Sequence, residues 1–266
     1  MKAKAIFPKV AVDLYIVQLV WSFSFLGILL FLQIAKPILA MIPFLNMNDK
    51  INVGNYFDTV FVSSNIFMLV IGIIAILGFL PYYVSNGVTR KDYFKGATIA
   101  AAGLAISIPI VASVIYALQI FIMKITNFPL VQESSLAKQV VETDDGFAGE
   151  LIQSIIFTPF VELESNWILA IAVFALNIFM YYIVGWLIGT GFYRFGVFIG
   201  LLCISLAFIV VYIQDLLLSI ALDLPVHDVF TSLDFSLYLA FAGALALAGI
   251  TLWIIRQMTK RVPIKM

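Results

Sequence analysis

The chain has little charge, one cysteine and one histidine. Charged residues make up 11% of its 266 residues, whereas a soluble domain carries about a quarter. Cys203 alone forms no intrachain disulfide and lacks the partner residues of a metal site. His227 lies among acidic residues in a short loop, where we expect an exposed side chain. We expect no metal site and no nucleic-acid partner.

The sequence also lacks the motifs of an ATPase or of another enzyme. Nucleotide hydrolysis requires a Gly-rich phosphate loop that ends in Lys-Ser/Thr, and residues 95–98 (Lys-Gly-Ala-Thr) have neither that spacing nor that order. No nucleophile–base pair is apparent either. We therefore expect no catalytic site and no cofactor in this chain, and an ATP-driven role requires an ATPase on another polypeptide.

Long apolar runs take the place of charge. Hydrophobic residues make up 63% of the chain, and a membrane span needs roughly 20 mostly apolar residues. Transmembrane β-strands are excluded because they read as alternating stretches of about ten residues. The pattern predicts an all-α integral membrane protein, one domain over 1–266, with six spans at about 14–35, 59–83, 99–125, 167–188, 197–221 and 236–255.

The distribution of Lys and Arg predicts the orientation of these spans. Cytoplasmic loops collect basic residues. Eleven of the fifteen basic residues fall on one side of a six-span arrangement: Lys2, Lys4, Lys9, Arg90, Lys91, Lys95, Arg194, Arg256, Lys260, Arg261 and Lys265. We therefore expect both termini to be cytoplasmic and the chain to be a multi-pass plasma-membrane protein.

The segments between the spans differ in length and character. Residues 126–166, between the third and fourth spans, form the one sizeable predicted loop, which is acidic and expected to be extracellular. Residues 6–13 combine lysines with apolar residues and predict an amphipathic lead-in at the membrane surface. The spacing of Gly185 and Gly189 predicts close helix packing, and the turn 189–196 places Tyr193 and Arg194 in a second cytoplasmic loop.

Ionisable residues are almost absent from the predicted spans, with one exception. Asp215, preceded by Gln214, lies in the fifth span, where an intramembrane carboxylate costs several kcal/mol and is expected to face the bundle or a wet cavity. One interpretation is a polar point on a substrate pathway. The other is a carboxylate near enough to the membrane surface to be hydrated or protonated.

The loop 84–98 carries the most specific local signal. Asn86-Gly87 is a strong turn signal, and Thr89 with Asp92 three residues later has the capping-box arrangement that starts a short helix. That helix presents two basic residues, Arg90 and Lys91, beside two aromatic residues, Tyr93 and Phe94. Such residues are favoured anchors at protein interfaces, although a basic loop with aromatic membrane anchors has the same composition.

This loop resembles a known family. The run Ser85-Asn86-Gly87-Val88-Thr89-Arg90-Lys91-Asp92-Tyr93-Phe94-Lys95-Gly96 is similar to the loop after the second span in ABC-2-type exporter permeases. Among these, the chain is most similar to short Gram-positive permeases, including those that export amphipathic peptides such as phenol-soluble modulins.

The resemblance implies a membrane subunit that works with a separate ATP-binding subunit. Residues 86, 87 and 89–94 would then form the helix that docks on the ATPase, which binds ATP and Mg²⁺. A second permease subunit, identical or paralogous, completes the exporter, and a hydrophobic or amphipathic substrate is expected. The alternative is a carrier or channel without ATP coupling that uses Asp215 in its pathway.

Overall fold

The computed structural model describes residues 6–40, 55–126, 159–163, 165–224 and 235–260. This part of the chain contains helices and no strand. Six helices are long and apolar enough to cross a membrane, which is the architecture of a multi-pass membrane protein. They are α1 (Phe7–Ala40), α2 (Tyr56–Ser85), α3 (Arg90–Thr126), α4 (Trp167–Phe195), α5 (Val197–Ala221) and α6 (Leu237–Thr259).

Polar side chains fix where several helices begin. The Oδ1 atom of Asn55 accepts from the backbone N–H of Asp58 at 2.8 Å, and Asn166 and Ser236 cap α4 and α6 in the same way. Each cap satisfies an N–H group that a helix start leaves without an intrahelical partner. The apolar runs therefore become helices with defined first turns.

Side-chain contacts place the starts of α1, α3 and α5 beside the ends of α2, α4 and α6. Tyr83 bonds Asp13, Arg256 bonds the Arg90 carbonyl, and Arg194 bonds the end of α6. We call this the basic end of the bundle. Among the described residues it has seven basic and two acidic ones: Lys9, Arg90, Lys91, Lys95, Arg194, Arg256 and Lys260, with Asp13 and Asp92. The described side chains of the opposite end include Lys124 with Asp58, Glu162, Asp215 and Asp223.

α4 is the central helix, and its closest neighbour is α2. A Cβ atom added to Gly72 would lie 2.1 Å from the carbonyl oxygen of Tyr182, and one added to Gly185 would lie 2.1 Å from that of Leu69. Gly189 also meets the backbone of Ile73. The predicted close packing at Gly185 and Gly189 is therefore confirmed, and its partner is α2.

Apolar side chains cover the outside of the bundle. α1 and α5 expose large side chains such as Val20, Phe31, Phe198 and Phe208. In water such a surface marks an interaction site, whereas in a bilayer it meets lipid. The apolar outer surface therefore agrees with six helices that are long and apolar enough to cross a membrane.

Three boundaries differ from the sequence expectation. The amphipathic lead-in predicted for residues 6–13 is continuous with the first span as the start of α1, and Val10 there packs against Gly96 of α3. The predicted short helix after Thr89 is likewise continuous with α3. The predicted turn 189–196 shrinks to Gly196, whose φ of +86° favours glycine, so Tyr193 and Arg194 lie in the last turn of α4.

Several predicted features lie outside the described residues. These include most of the acidic segment 126–166 and the loop that contains His227. What was said of these segments remains a prediction from the sequence.

The contact between α2 and α4 yields a stability prediction. Gly185→Ala places a methyl group against the backbone of α2, which must shift, and we expect a loss of about 1–3 kcal/mol in the free energy of unfolding. Unfolding of the purified protein in mixed micelles measures the loss. The matched control is Gly27→Ala, because a Cβ atom at Gly27 has nothing within 4 Å. Equal stability of the two variants would contradict the packing described.

Candidate functional site

The connection between α2 and α3 is a closed, hydrogen-bonded turn. The side chain of Asn86 donates to the carbonyl of Tyr82 at 2.7 Å, and Gly87 adopts a φ of +85° that L side chains rarely adopt. Thr89 then bonds Asp92 twice, through its hydroxyl group at 2.8 Å and by accepting from the Asp92 N–H at 3.1 Å. The predicted turn and the Thr89–Asp92 cap are both present.

Tyr93 lies inside the bundle rather than on the surface of this turn. Its side chain is 1% exposed, and its hydroxyl group donates to the backbone carbonyl of Ala75 in α2. That carbonyl also accepts from the N–H of Leu80, five residues on. Tyr93 therefore joins the first turn of α3 to α2, at a residue ten positions before the end of α2.

The Ala75 carbonyl belongs to a π-helical turn, Ala75–Phe79. Pro81 follows this turn, and a proline within a helix has no N–H and crowds the carbonyl four residues earlier. A π-helical turn is one way to accommodate such a disturbance, and these turns occur often at functional sites. Tyr93 thus bonds the one irregular turn among the described residues of α2.

Phe94 connects the same turn to α4 and α6. Its ring lies 5.2 Å from that of Trp186, and the Arg256 guanidinium lies 5.5 Å from the Phe94 centroid. Arg256 also donates to the carbonyl of Arg90 at 3.3 Å. The aromatic ring is therefore held between two helices other than its own.

Both acidic side chains at the basic end bond within the protein. Asp92 accepts from Thr89, and Asp13 accepts from the hydroxyl group of Tyr83. The side chains of Lys9 and Lys91 are exposed. The outward field of this end is consequently positive.

The second predicted cytoplasmic pair has an internal role. Arg194 donates to the carbonyls of Gln257, at 3.3 Å, and of Met258. A cation at the end of a helix stabilises its last carbonyl groups, so Arg194 caps α6. Tyr193 is 8% exposed and packs within the bundle.

The predicted pathway residues lie far from this cluster. Gln214 is 1% and Asp215 is 7% exposed, and both are near the end of α5. Since a helix rises 1.5 Å per residue, Gln214 lies about 25 Å along α5 from the basic end. The structure therefore contains two separate candidate sites.

Gln214 belongs to a chain of buried amides that sequence reasoning missed. It donates to Asn177 of α4 at 3.2 Å, and Asn177 donates to Asn65 of α2 at 3.1 Å. An amide within an apolar run is the only signal that the sequence offers for each of them. Their partnership depends on the α2–α4 packing.

Among the described residues, no group of three or more His, Cys, Asp and Glu side chains is placed to hold a metal ion. Comparisons with models of protein families, with curated proteins and with solved structures gave no match.

The Tyr93–Ala75 bond yields a second stability prediction. Tyr93→Phe keeps the ring and removes the hydroxyl group, so we expect a loss of about 1 kcal/mol in unfolding free energy. Tyr93→Ala also empties the ring's site and should cost about 3–5 kcal/mol. Thermal unfolding followed by tryptophan fluorescence measures both. Tyr82→Phe, at a ring that is 62% exposed, should have no effect; a Tyr93→Phe protein as stable as this control would contradict the internal role.

Proposed function

We propose that this chain is the membrane-spanning permease subunit of an ATP-driven exporter of the ABC-2 type. It would pair with a separate ATPase and with a second permease subunit, identical or paralogous, in the plasma membrane. The substrate would be hydrophobic or amphipathic, such as a peptide toxin or an antimicrobial peptide. Without a catalytic site of its own, the chain would provide the pathway and receive its driving force from the partner.

The observation that carries this proposal is the construction of the turn 86–94. It is closed by its own hydrogen bonds and attached to α2 through Tyr93, to α4 through Phe94 and to α6 through Arg256. A contact that pushes on this turn therefore acts on several helices at once. That is the property required of a surface that transmits movement from an ATPase.

The distribution of charge supports a cytoplasmic location for the basic end. The described residues at that end are mostly basic and those at the opposite end mostly acidic. Basic residues concentrate on the cytoplasmic side of membrane proteins. In the proposed orientation, both termini and the turn 86–94 face the compartment that contains ATP.

The structure divides the predicted docking residues into two groups. Asn86, Gly87 and Lys91 are exposed and available to a partner, whereas Tyr93 is buried and Phe94 is half-buried. We therefore assign contact with the ATPase to the first group, together with the partly exposed Arg90. Tyr93 and Phe94 would transmit the displacement to α2 and α4.

A second candidate function is a carrier or channel without ATP coupling. The burial of Asp215 beside the amide chain favours it, because intramembrane polar groups commonly mark ion or substrate pathways. It predicts transport by the purified chain alone in liposomes. The exporter predicts transport only when the ATPase and ATP are present.

Co-purification from native membranes tests the exporter directly. We expect the solubilised chain to bring down an ATPase. Because the exposed lysines of the basic end favour an acidic partner surface, Lys91→Glu should weaken that association about tenfold or more. Affinity capture at a series of ATPase concentrations measures the change.

The matched control is Lys124→Glu, which makes the same charge reversal at an exposed lysine of the opposite end. It should leave the association unchanged. Failure of the unaltered chain to capture any ATPase, or an equal effect of the two variants, would count against the proposal.

A further inference from the structure

The buried amide chain crosses three helices in one direction. Gln214 of α5 donates through Nε2 to Oδ1 of Asn177 in α4, at 3.2 Å, and Asn177 donates through Nδ2 to Oδ1 of Asn65 in α2, at 3.1 Å. The three side chains are at most 2% exposed. In each bond, an N–H of one amide donates to the carbonyl oxygen of the next amide.

Because every bond runs from α5 towards α2, the carbonyl oxygen of Gln214 at the α5 end receives no hydrogen bond from the other amides. The Oε1 atom of Gln214 is buried and has no hydrogen-bond partner. A buried carbonyl without a donor is costly, and most such atoms in proteins have a partner. The group that completes this site must therefore supply a hydrogen-bond donor or a positive charge.

A buried carboxylate lies next to Gln214 in the chain. Asp215 follows it in the chain and is 7% exposed, and the hydroxyl group of Ser219 donates to the Asp215 carboxylate at 3.3 Å. Carboxylate and amide oxygens are the ligands of hard cations and of ammonium groups.

From these observations we propose that Gln214 and Asp215 form a binding site for a monovalent cation, either Na⁺ or the protonated primary amine of a transported molecule. An anion does not fit, because the buried carboxylate of Asp215 would repel it. One positive charge suits the site better than two, because a single buried carboxylate, Asp215, balances a monovalent cation. The proposal goes beyond the exporter function and does not depend on it.

The position of the site agrees with access from the opposite end of the bundle. Ala221, the last residue of α5, lies six positions after Asp215, which corresponds to about 9 Å along the helix. A cation would therefore cross less than a third of a membrane core of about 30 Å to arrive. The amide chain then connects the bound charge to α4 and α2.

Thermal unfolding of the purified full-length chain tests the site without any ATPase. In one arm, NaCl replaces N-methylglucamine chloride at constant ionic strength; in the other, octylamine is compared with octanol at neutral pH. We expect a saturable rise in Tm with Na⁺ or with octylamine. A rise with Na⁺ alone identifies an alkali-cation site, and a rise with octylamine but not octanol identifies an amine site. Absence of both rises overturns the proposal.

Two variants assign the effect to these residues. Gln214→Met removes the unpartnered acceptor together with the bond to Asn177, and it should raise the apparent Kd about tenfold. Asp215→Asn keeps an acceptor oxygen but removes the negative charge, and it should weaken binding at least as much. Gln119→Met is the matched control, since Gln119 is another glutamine with buried, unpartnered amide atoms, on α3.

The control should keep the Kd of the unaltered chain. An unchanged Kd in Gln214→Met and Asp215→Asn, or an equal loss in Gln119→Met, would overturn the assignment. Should Asp215→Asn fail to fold, Gln214→Met decides alone. A negative result here leaves the capture of an ATPase untouched, so the two proposals fail separately.

Discussion

The close contact between α2 and α4 is the constraint on which the remaining structure depends. Helices in lipid gain little from the hydrophobic effect when they associate, so they rely on packing at short range and on interhelical hydrogen bonds. Gly72 and Gly185 permit that range, because a side chain at either position would collide with a carbonyl oxygen of the other helix. α3, α5 and α6 then pack around α4.

Both candidate sites are built on this helix pair. On one side of the glycine contact, Asn65 and Asn177 bond to each other and extend the amide chain to Gln214. On the other side, the Ala75 carbonyl receives Tyr93, and Trp186 packs against Phe94. A displacement of α2 relative to α4 would therefore change both sites, which gives a physical route between the basic end and the polar interior.

Much of the fold follows from composition alone. An apolar run long enough to cross a bilayer must satisfy its backbone hydrogen bonds within the segment, which a helix does. This reasoning predicted all six helices. The cap at Thr89 and Asp92 and the turn at Gly87 were also predictable, because they depend on residues within four positions of one another. The full lengths of α1 and α3 were not predictable in this way. Their first turns pack on each other through Val10 and Gly96, which are remote in sequence.

The candidate sites show the same division. Sequence reasoning found the exposed Lys91 and the buried Asp215, whose charges stand out from an apolar background. It placed Tyr93 on the surface beside Arg90, although the first turn of α3 directs Tyr93 towards Ala75. Asn65 and Asn177 were missed because 112 positions separate them, and only the packing of α2 on α4 brings their amides together.

Labelling with a membrane-impermeant maleimide tests the central claim, that the turn 86–94 is a cytoplasmic surface attached to the helix bundle. Lys91→Cys and Lys124→Cys, each in a Cys203→Ala background, place one thiol at either end of the bundle. In intact cells the account predicts labelling of the Lys124→Cys variant, whereas the Lys91→Cys variant reacts only after permeabilisation. Labelling of Lys91→Cys from outside intact cells would contradict the account, because no cytoplasmic ATPase reaches that surface.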